Sequence, residues 1–329
     1  MIEFISAFNP ILKMGFTAKV EETTNLSAMH ITNKRNTNMK IDSSFVGIPL
    51  KDYTTTVTWR ATMNYAAAVD DANPVYFDDD GGKTVIAPPM FAVALTWPVS
   101  ERIGDYIDDK NFPVDIIKTQ VHYTEHLAFY RPVRPGDILT IKGRVAAIMP
   151  HRAGTVTVIR FDAIDHDGKG VFTEHIGAMM RGVECVGKSR GQEDLPFVPS
   201  VSSESSVKWE KVIHIDRMRP FIYDGCSNIH FPIHTSVGFA KMVGLPDIIL
   251  QGTATLAFAA RELTDNEAAG DPQRLKELSC RFTGMVVPPE DIRVQLIQRR
   301  ERDSGADLFF EVHGKDGRVL SNGYACISG

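Results

Sequence analysis

The sequence predicts an α+β protein made of two similar halves, each with helices followed by an antiparallel sheet. Three short segments recur in the same order in the two parts of the chain. Residues 118–182 are rich in β-branched residues and are interrupted by the turn sequences PGD, RAG and DGKG, which is typical of antiparallel strands. Because each copy can bury its sheet against the other, we expect one chain to form an internal pseudo-dimer.

The recurring segments fix the order of elements in each half. They pair residues 73–76 with 231–234, 85–89 with 248–252, and 129–138 with 283–292. In the first half, TWRATMNYAAAVDDANPVYF predicts a short helix that ends at the Asp-Asp-Ala-Asn-Pro sequence. The apolar stretch in TVIAPPMFAVALTWPVSERI predicts a buried central helix after the Pro-Pro step.

The domain boundaries follow from changes in composition. Residues 1–42 lack periodicity and are expected to be a poorly ordered N-terminal extension. Residues 43–186 are expected to form the N-terminal half. Residues 187–206 are polar and rich in serine and proline, which predicts a linker. Residues 207–329 are then expected to form the C-terminal half.

Composition excludes several functions. The net charge of -5 comes without a dense Lys/Arg run, so we expect no nucleic-acid partner. No apolar run reaches the roughly 18–20 residues that cross a bilayer, and the start lacks a signal-peptide pattern, so we expect no membrane contact. Four scattered cysteines without metal-binding spacing indicate no metal site and a reducing, cytoplasmic location. We expect no cofactor.

The second half contains FIYDGCSNIHFPIHTSVGFAKMVGLPDIILQGTATLAFAARELTD. This stretch resembles the motif of the MaoC-like family, which includes (R)-specific enoyl-CoA hydratases and 3-hydroxyacyl-thioester dehydratases. DDANPVYFDD, IAPPMF and FYRPVRPGD resemble the companion half of its double members. The resemblance covers roughly residues 43–329 and implies a tandem (double) hot-dog fold, with two antiparallel sheets that each wrap a central helix.

The resemblance also implies an activity and a substrate. Members interconvert a 2-enoyl thioester and a 3-hydroxyacyl thioester in fatty acid metabolism, so the expected partner is an acyl-CoA or acyl carrier protein thioester. The two-half unit could also form a homodimer. Hydration beside a thioester needs a base, an acid and hydrogen-bond donors to the carbonyl oxygen.

The motif assigns roles by position. In the family an Asp and a His are the acid/base pair, and a backbone N–H at the start of the central helix binds the carbonyl. His234 matches the motif histidine and Gly252 matches the glycine that donates this N–H. Gln251 stands where members often carry His, and Thr253 follows the glycine. We expect Gln251 and Thr253 to line the substrate site together with Gly252 and His234.

The chain departs from the family at the acid. Ile229 occupies the position of the family Asp, and Asn228 and His230 flank it. An amide does not take up a proton near neutral pH, whereas imidazole titrates in the useful range. We therefore consider Asn228 a polar contact and His230 a candidate second acid/base group. Asp224 lies earlier on the same segment; we expect it to be exposed in an Asp-Gly turn, and the alternative is that its carboxyl group reaches the site.

In the first half, Asp71 and Tyr76 occupy the corresponding positions, and proline has no N–H to offer at Pro88 and Pro89. We expect a degenerate copy that shapes the acyl pocket. The missing carboxylate leaves two alternatives to a hydratase open. One is a non-catalytic acyl-thioester binding protein or partner subunit. The other is a hot-dog thioesterase, which would release free thiol.

Overall fold

The computed structural model describes residues 39–201 and 206–329. Most of the expected N-terminal extension, residues 1–38, lies outside the described residues, but its last residues form a strand. The strands in the described ranges are β1 (Lys40–Asp42), β2 (Tyr53–Thr56), β3 (Gln120–Phe129), β4 (Ile138–His151), β5 (Gly154–Ile164), β6 (Gly170–Arg181), β7 (Glu184–Val186), β8 (Trp209–Ile215), β9 (Leu275–Phe282), β10 (Glu290–Arg302), β11 (Gly305–Gly314) and β12 (Gly317–Ser328). The α-helices there are α1 (Trp59–Ala68), α2 (Phe91–Glu101), α3 (Ile103–Tyr106), α4 (Arg219–Ser227), α5 (Val237–Met242) and α6 (Gly252–Glu267).

Ten strands form one sheet in the order β2-β4-β5-β6-β3-β9-β12-β11-β10-β8. All neighbours in it are antiparallel, so the predicted sheet class is confirmed. Strands β3 and β9 join the two five-stranded groups, with Thr124 opposite Arg281 and Ala128 opposite Glu277. The short strands β1 and β7 pair separately and in parallel.

The central helices α2 and α6 are buried. The sequences FAVALT and TATLAFAA place small and apolar residues on nearly every side, which is typical of a helix inside a core. Helix α1 begins at the cap residue Thr58, whose side chain accepts a hydrogen bond from the Ala61 amide, and it ends just before the Asp-Asp-Ala-Asn-Pro sequence, as predicted. The α+β, double hot-dog prediction is therefore confirmed by the arrangement of sheet and helices.

Buried contacts tie the two halves together. The hydroxyl groups of Tyr65 on α1 and Tyr223 on α4 lie 2.9 Å apart. Arg219 on α4 donates hydrogen bonds to the Ala68 carbonyl at 3.0 Å and to both carboxylate oxygens of Asp70. The helices of one half therefore pack against those of the other.

The segment that links the halves runs along the outer face of the first half. Arg190 pairs with Ile148 through the backbone, and a short 3-10 turn follows at Gln192–Asp194. Leu195 then packs on a small apolar cluster that is separate from the main core and includes Val156 and Val158. None of the helices in the described ranges is long and apolar enough to cross a membrane.

Candidate active site

His234 lies in a 3-10 turn, Pro232–His234, after helix α4. Its Nδ1 lies 2.8 Å from the carbonyl oxygen of Ile249. A carbonyl only accepts, so Nδ1 carries the proton and Nε2 keeps its lone pair. Burial lowers the pKa of His234 to about 4, although the Ile249 carbonyl opposes this shift. The imidazole is therefore neutral at pH 7 and can take up a proton at Nε2.

Gly252 is the first residue of helix α6. Its amide belongs to the first turn, where N–H groups have no acceptor within the helix and the helix dipole favours negative charge. A Cβ at this position would lie 2.9 Å from two ring carbons of Phe282, so the glycine is required by close packing. Gly252 follows Ile249 by three positions, a distance of at most about 10 Å along the chain. The His234 contact and the Gly252 amide therefore belong to one short segment.

Gln251 and Thr253 hold the start of helix α6 against helix α4. Gln251 Nε2 donates to the Pro220 carbonyl at 3.1 Å, and the Tyr223 hydroxyl donates to Thr253 Oγ1 at 3.1 Å. Both residues are buried, and Gln251 Oε1 has no hydrogen-bond partner among the described residues. These bonds fix the direction of the Gly252 amide. Substrate contact by Gln251 and Thr253 stays a prediction.

The residues at and beside the position of the family Asp differ in their exposure and in their contacts. Ile229 is buried, and its amide donates to Ser227 Oγ at 3.1 Å. Asn228 is exposed and ends helix α4 in the left-handed conformation, with φ of 58°. His230 is exposed, and its Nε2 lies 2.9 Å from Oε1 of Glu101 at the end of α2. The structure thus gives Asn228 a helix-end position and His230 an ion-pair partner, while their catalytic roles remain predictions.

Asp224 differs from the sequence expectation. It lies inside helix α4 and is half-buried, not exposed in a turn. Pro220 occupies the first turn of this helix, where proline is tolerated. The packing of Tyr223 against Tyr65 keeps the segment around Asp224 helical. Burial raises the pKa of Asp224, and the charge of His230 and the amide of Phe231 partly offset this. Asp224 is therefore a carboxyl group beside the loop that carries His234.

The corresponding residues of the first half border a separate cavity. A space of about 640 Å³ is lined by Asp71 from the first half and by Arg261 and Gly270 from the second. Burial raises the pKa of Asp71 to about 6. Tyr76 is 1% exposed and packs into a small apolar cluster. His234 and Gly252 do not line this cavity, so the structure does not bring Asp71 together with them there.

Comparison with known proteins agrees with this arrangement. Residues 201–313 match the model of the MaoC-like domain, and residues 44–174 match that of the FAS1-like dehydratase domain region. The UPF0336 protein of Streptomyces avermitilis is 32% identical over 155 residues, covering 44% of this chain and 99% of that protein. Its C-terminal part therefore contains a MaoC-like domain, and its N-terminal part contains a FAS1-like dehydratase region.

A second relative and a solved structure are also similar to this chain. The chain is 22% identical over 210 residues to a probable enoyl-CoA hydratase 2 of Dictyostelium discoideum, covering 63% of this chain and 69% of that protein. The crystal structure of a MaoC-like dehydratase from Phytophthora capsici superposes with a TM-score of 0.73 at 21% identity. The superposition covers 86% of this chain and 97% of that one, which shows the shared fold.

The chain also contains a buried polar cluster that sequence analysis missed. Glu125 and Glu174 lie on the paired strands β3 and β6 and are at most 1% exposed. Burial raises the pKa of both, and the negative charge of Glu125 raises the pKa of Glu174 further. His122 Nε2 lies 3.1 Å from Glu125 Oε2, and its ring centroid lies 4.2 Å from that of Phe282.

This cluster therefore lies one aromatic ring away from Gly252. The available signal was the acidic residue in VHYTEHLAF, where alternation places Glu125 on the same face as the core residue Leu127. A charged residue at an inward position of a strand is uncommon without a partner. Glu125 at an inward position was therefore the sequence signal that strand β3 has more than a structural role.

Proposed function

We propose that this chain interconverts a 2-enoyl thioester and the corresponding 3-hydroxyacyl thioester, with an acyl-CoA as substrate. The observation that carries the proposal is the tautomer of His234. The Ile249 carbonyl fixes its proton on Nδ1, which leaves the lone pair of Nε2 free to accept a proton near the helix whose first amide belongs to Gly252. The name of the Dictyostelium relative supports the choice of an enoyl-CoA.

In the hydration direction, Nε2 of His234 takes a proton from water, and the resulting hydroxide adds to the β-carbon. The electron pair of the double bond moves toward the thioester carbonyl, and the Gly252 N–H stabilises the enolate oxygen. A proton then reaches the α-carbon. Elimination of water follows the same steps in reverse.

We propose Asp224 as the group that supplies the second proton. Burial raises the pKa of Asp224, and this carboxyl group lies beside Phe231, in the loop that leads to His234. The proton that His234 takes from water can then restore the carboxyl group. This assignment places the acid on helix α4, because the family position itself is occupied by Ile229.

Ile229 is also the observation that favours a second candidate function. A buried aliphatic side chain at the acid position is what a non-catalytic acyl-thioester binding subunit would retain. Such a protein would bind crotonyl-CoA without consuming its double bond. It would also be insensitive to the charge of Asp224.

The test follows the conjugated-enone absorbance of crotonyl-CoA and, separately, the release of free thiol. Replacing His234→Ala should lower kcat/KM about 10²- to 10⁴-fold, the range for loss of a positioned acid/base group. The matched control is His214→Ala, since His214 is 66% exposed and pairs with Asp291 on the outer strands. Equal activity in both variants would remove His234 from the mechanism.

A second pair of variants tests the proposed acid. Asp224→Asn keeps the shape of the side chain but cannot donate a carboxyl proton, so kcat should fall while binding of butyryl-CoA persists. Asp316→Asn, in an exposed turn, is the control. Wild-type protein that binds crotonyl-CoA yet leaves its absorbance unchanged would favour the binding subunit. Thiol release without hydration would favour a thioesterase.

A further inference from the structure

A second cavity lies on the outer face of the sheet, where the two halves meet. Its volume is about 400 Å³, and linker residues between Leu195 and Val201 form one wall. The floor comes from strands of both halves. Cavities of roughly 300–1,000 Å³ are the size that holds small molecules. This space is therefore large enough for a ligand.

The floor carries a row of polar side chains across three neighbouring strands. His126 on β3 lies directly opposite His175 on β6 and opposite Ser279 on β9. Thr124 and Arg281 form the next pair on the same face. Because Leu127 points into the core, alternation along β3 turns His126 to the outer face. The row therefore lies on the far side of the sheet from the central helices.

Most of these polar side chains lack partners. Among the described residues, no hydrogen bond reaches His126 Nδ1, either ring nitrogen of His175, Ser279 Oγ or Arg281 Nε, although all five atoms are buried. His126, His175 and Ser279 are each less than 10% exposed. Burying unpaired polar atoms costs roughly 1–3 kcal/mol each, so a ligand or water that satisfies them is favoured.

The charge of the floor is positive. Burial lowers the pKa of His126 and of His175 to about 4, so both rings are neutral and each offers one N–H. The Arg281 guanidinium stacks over the ring of Tyr123 at 4.6 Å and has no carboxylate partner in the described ranges. An arginine that keeps its charge without a partner favours an anion.

The two glutamates among the residues that line the cavity do not neutralise the charge of Arg281. Glu311 already accepts hydrogen bonds from Arg318 and from His313, the latter at 3.0 Å. Alternation along β3 turns the side chain of Glu125 to the core face with Leu127, on the far side of the sheet from Arg281. The positive charge of Arg281 is therefore uncompensated within the cavity.

The remaining walls are apolar. They include Val158, Leu195, Val198, Ile297 and Phe309. Strand β12 bulges at Asn322 and Gly323, where two residues face one on β9, and this opens the sheet beside the polar row. Water alone would meet the polar atoms but would leave these walls without contacts.

We propose that this cavity binds a small amphipathic carboxylate, separate from the acyl-thioester site. Its carboxylate accepts hydrogen bonds from Arg281, Ser279 and an imidazole N–H. Its apolar part packs between the linker and Phe309. Since His234 and Gly252 do not line the cavity, binding here does not depend on the proposed hydratase activity.

The test uses octanoate as the probe and the full chain in isothermal titration calorimetry. We expect saturable binding of one octanoate per chain that persists when butyryl-CoA is present in excess. Displacement by butyryl-CoA would place octanoate in the acyl-thioester site and overturn the proposal. Octanamide, which has the same shape without the charge, should bind roughly 10- to 100-fold more weakly, as expected when a charge-assisted hydrogen bond is lost.

Variants on strand β9 locate the site. Arg281→Met should weaken octanoate binding by the same roughly 10- to 100-fold and leave octanamide binding nearly unchanged. Lys276→Met, on the exposed part of the same strand, should bind octanoate as the wild type does. If Arg281→Met fails to fold, the octanamide comparison on the wild-type chain still decides. Equal binding of octanoate and octanamide, or no binding of either, would refute the proposal.

Discussion

Replacing Gly252→Ala tests whether close packing sets the start of helix α6. The added Cβ would lie 2.9 Å from Cδ1 and Cε1 of Phe282, closer than such atoms approach in proteins. The ring cannot move freely, because the His122 ring lies against it with centroids 4.2 Å apart. The methyl group must therefore displace Phe282, the helix start, or both.

The magnitude follows from two opposing effects. Overpacking a filled core costs about 1–3 kcal/mol. Replacing glycine by alanine at a compatible backbone conformation recovers about 0.4–1 kcal/mol through the unfolded state. We expect the free energy of unfolding of Gly252→Ala to fall by about 1–2 kcal/mol. The hydration rate should fall as well, because the Gly252 amide moves with the helix start.

Urea unfolding of Gly252→Ala, Phe282→Leu and the double variant gives the coupling between the two positions. If the phenyl ring is the obstacle, the smaller leucine removes it, and the double variant should be more stable than additivity predicts by at least about 0.5 kcal/mol. Additive losses, or a Gly252→Ala variant as stable as the wild type, would refute the packing argument.

Three further predictions concern buried polar groups. The pKa of Glu174 is raised on folding. Ionisation of this group therefore opposes folding increasingly as the pH rises above the pKa that Glu174 has in the unfolded chain. The Glu174→Gln variant should gain stability relative to the wild type between pH 4 and pH 8. A constant difference in melting temperature would contradict this. Tyr65→Phe should cost about 0.5–1.5 kcal/mol in urea unfolding by removing the bond to Tyr223, and no loss would show that bond to be unimportant. The wild type should lose stability as the pH falls from about 6.5 to about 4, because four histidines whose pKa is lowered to about 4 take up protons on unfolding. A melting temperature that stays constant over this pH range would contradict this prediction. These are His122, His126, His175 and His234.

The local patterns of the sequence were sufficient for the fold class. Alternation and turn sequences predicted the strands between residues 118 and 182, and the apolar run after the Pro-Pro step predicted the first central helix. The Asp-Asp-Ala-Asn-Pro sequence correctly ended helix α1. These features depend on neighbours along the chain, which is why a single sequence reveals them.

The candidate site was harder to predict because its environment is set by distant contacts. His230 meets Glu101, 129 positions earlier in the chain, and no local pattern announces that pair. The neutral state of His234 depends on its burial, and its tautomer depends on the contact with Ile249. Asp224 was misjudged because the Asp-Gly pair suggested a turn, whereas packing of Tyr223 against Tyr65 keeps that segment helical.

The seam between β3 and β9 has a consequence for the integrity of the chain. Five residue pairs there satisfy the backbone of two strands that would otherwise be sheet edges. Either half expressed alone would present a long strand with Leu127 or Leu278 beside unpaired amides and carbonyls, a surface that recruits other strands. Covalent fusion keeps the two edge strands at high local concentration. They therefore pair with each other before either can pair with a strand of another molecule.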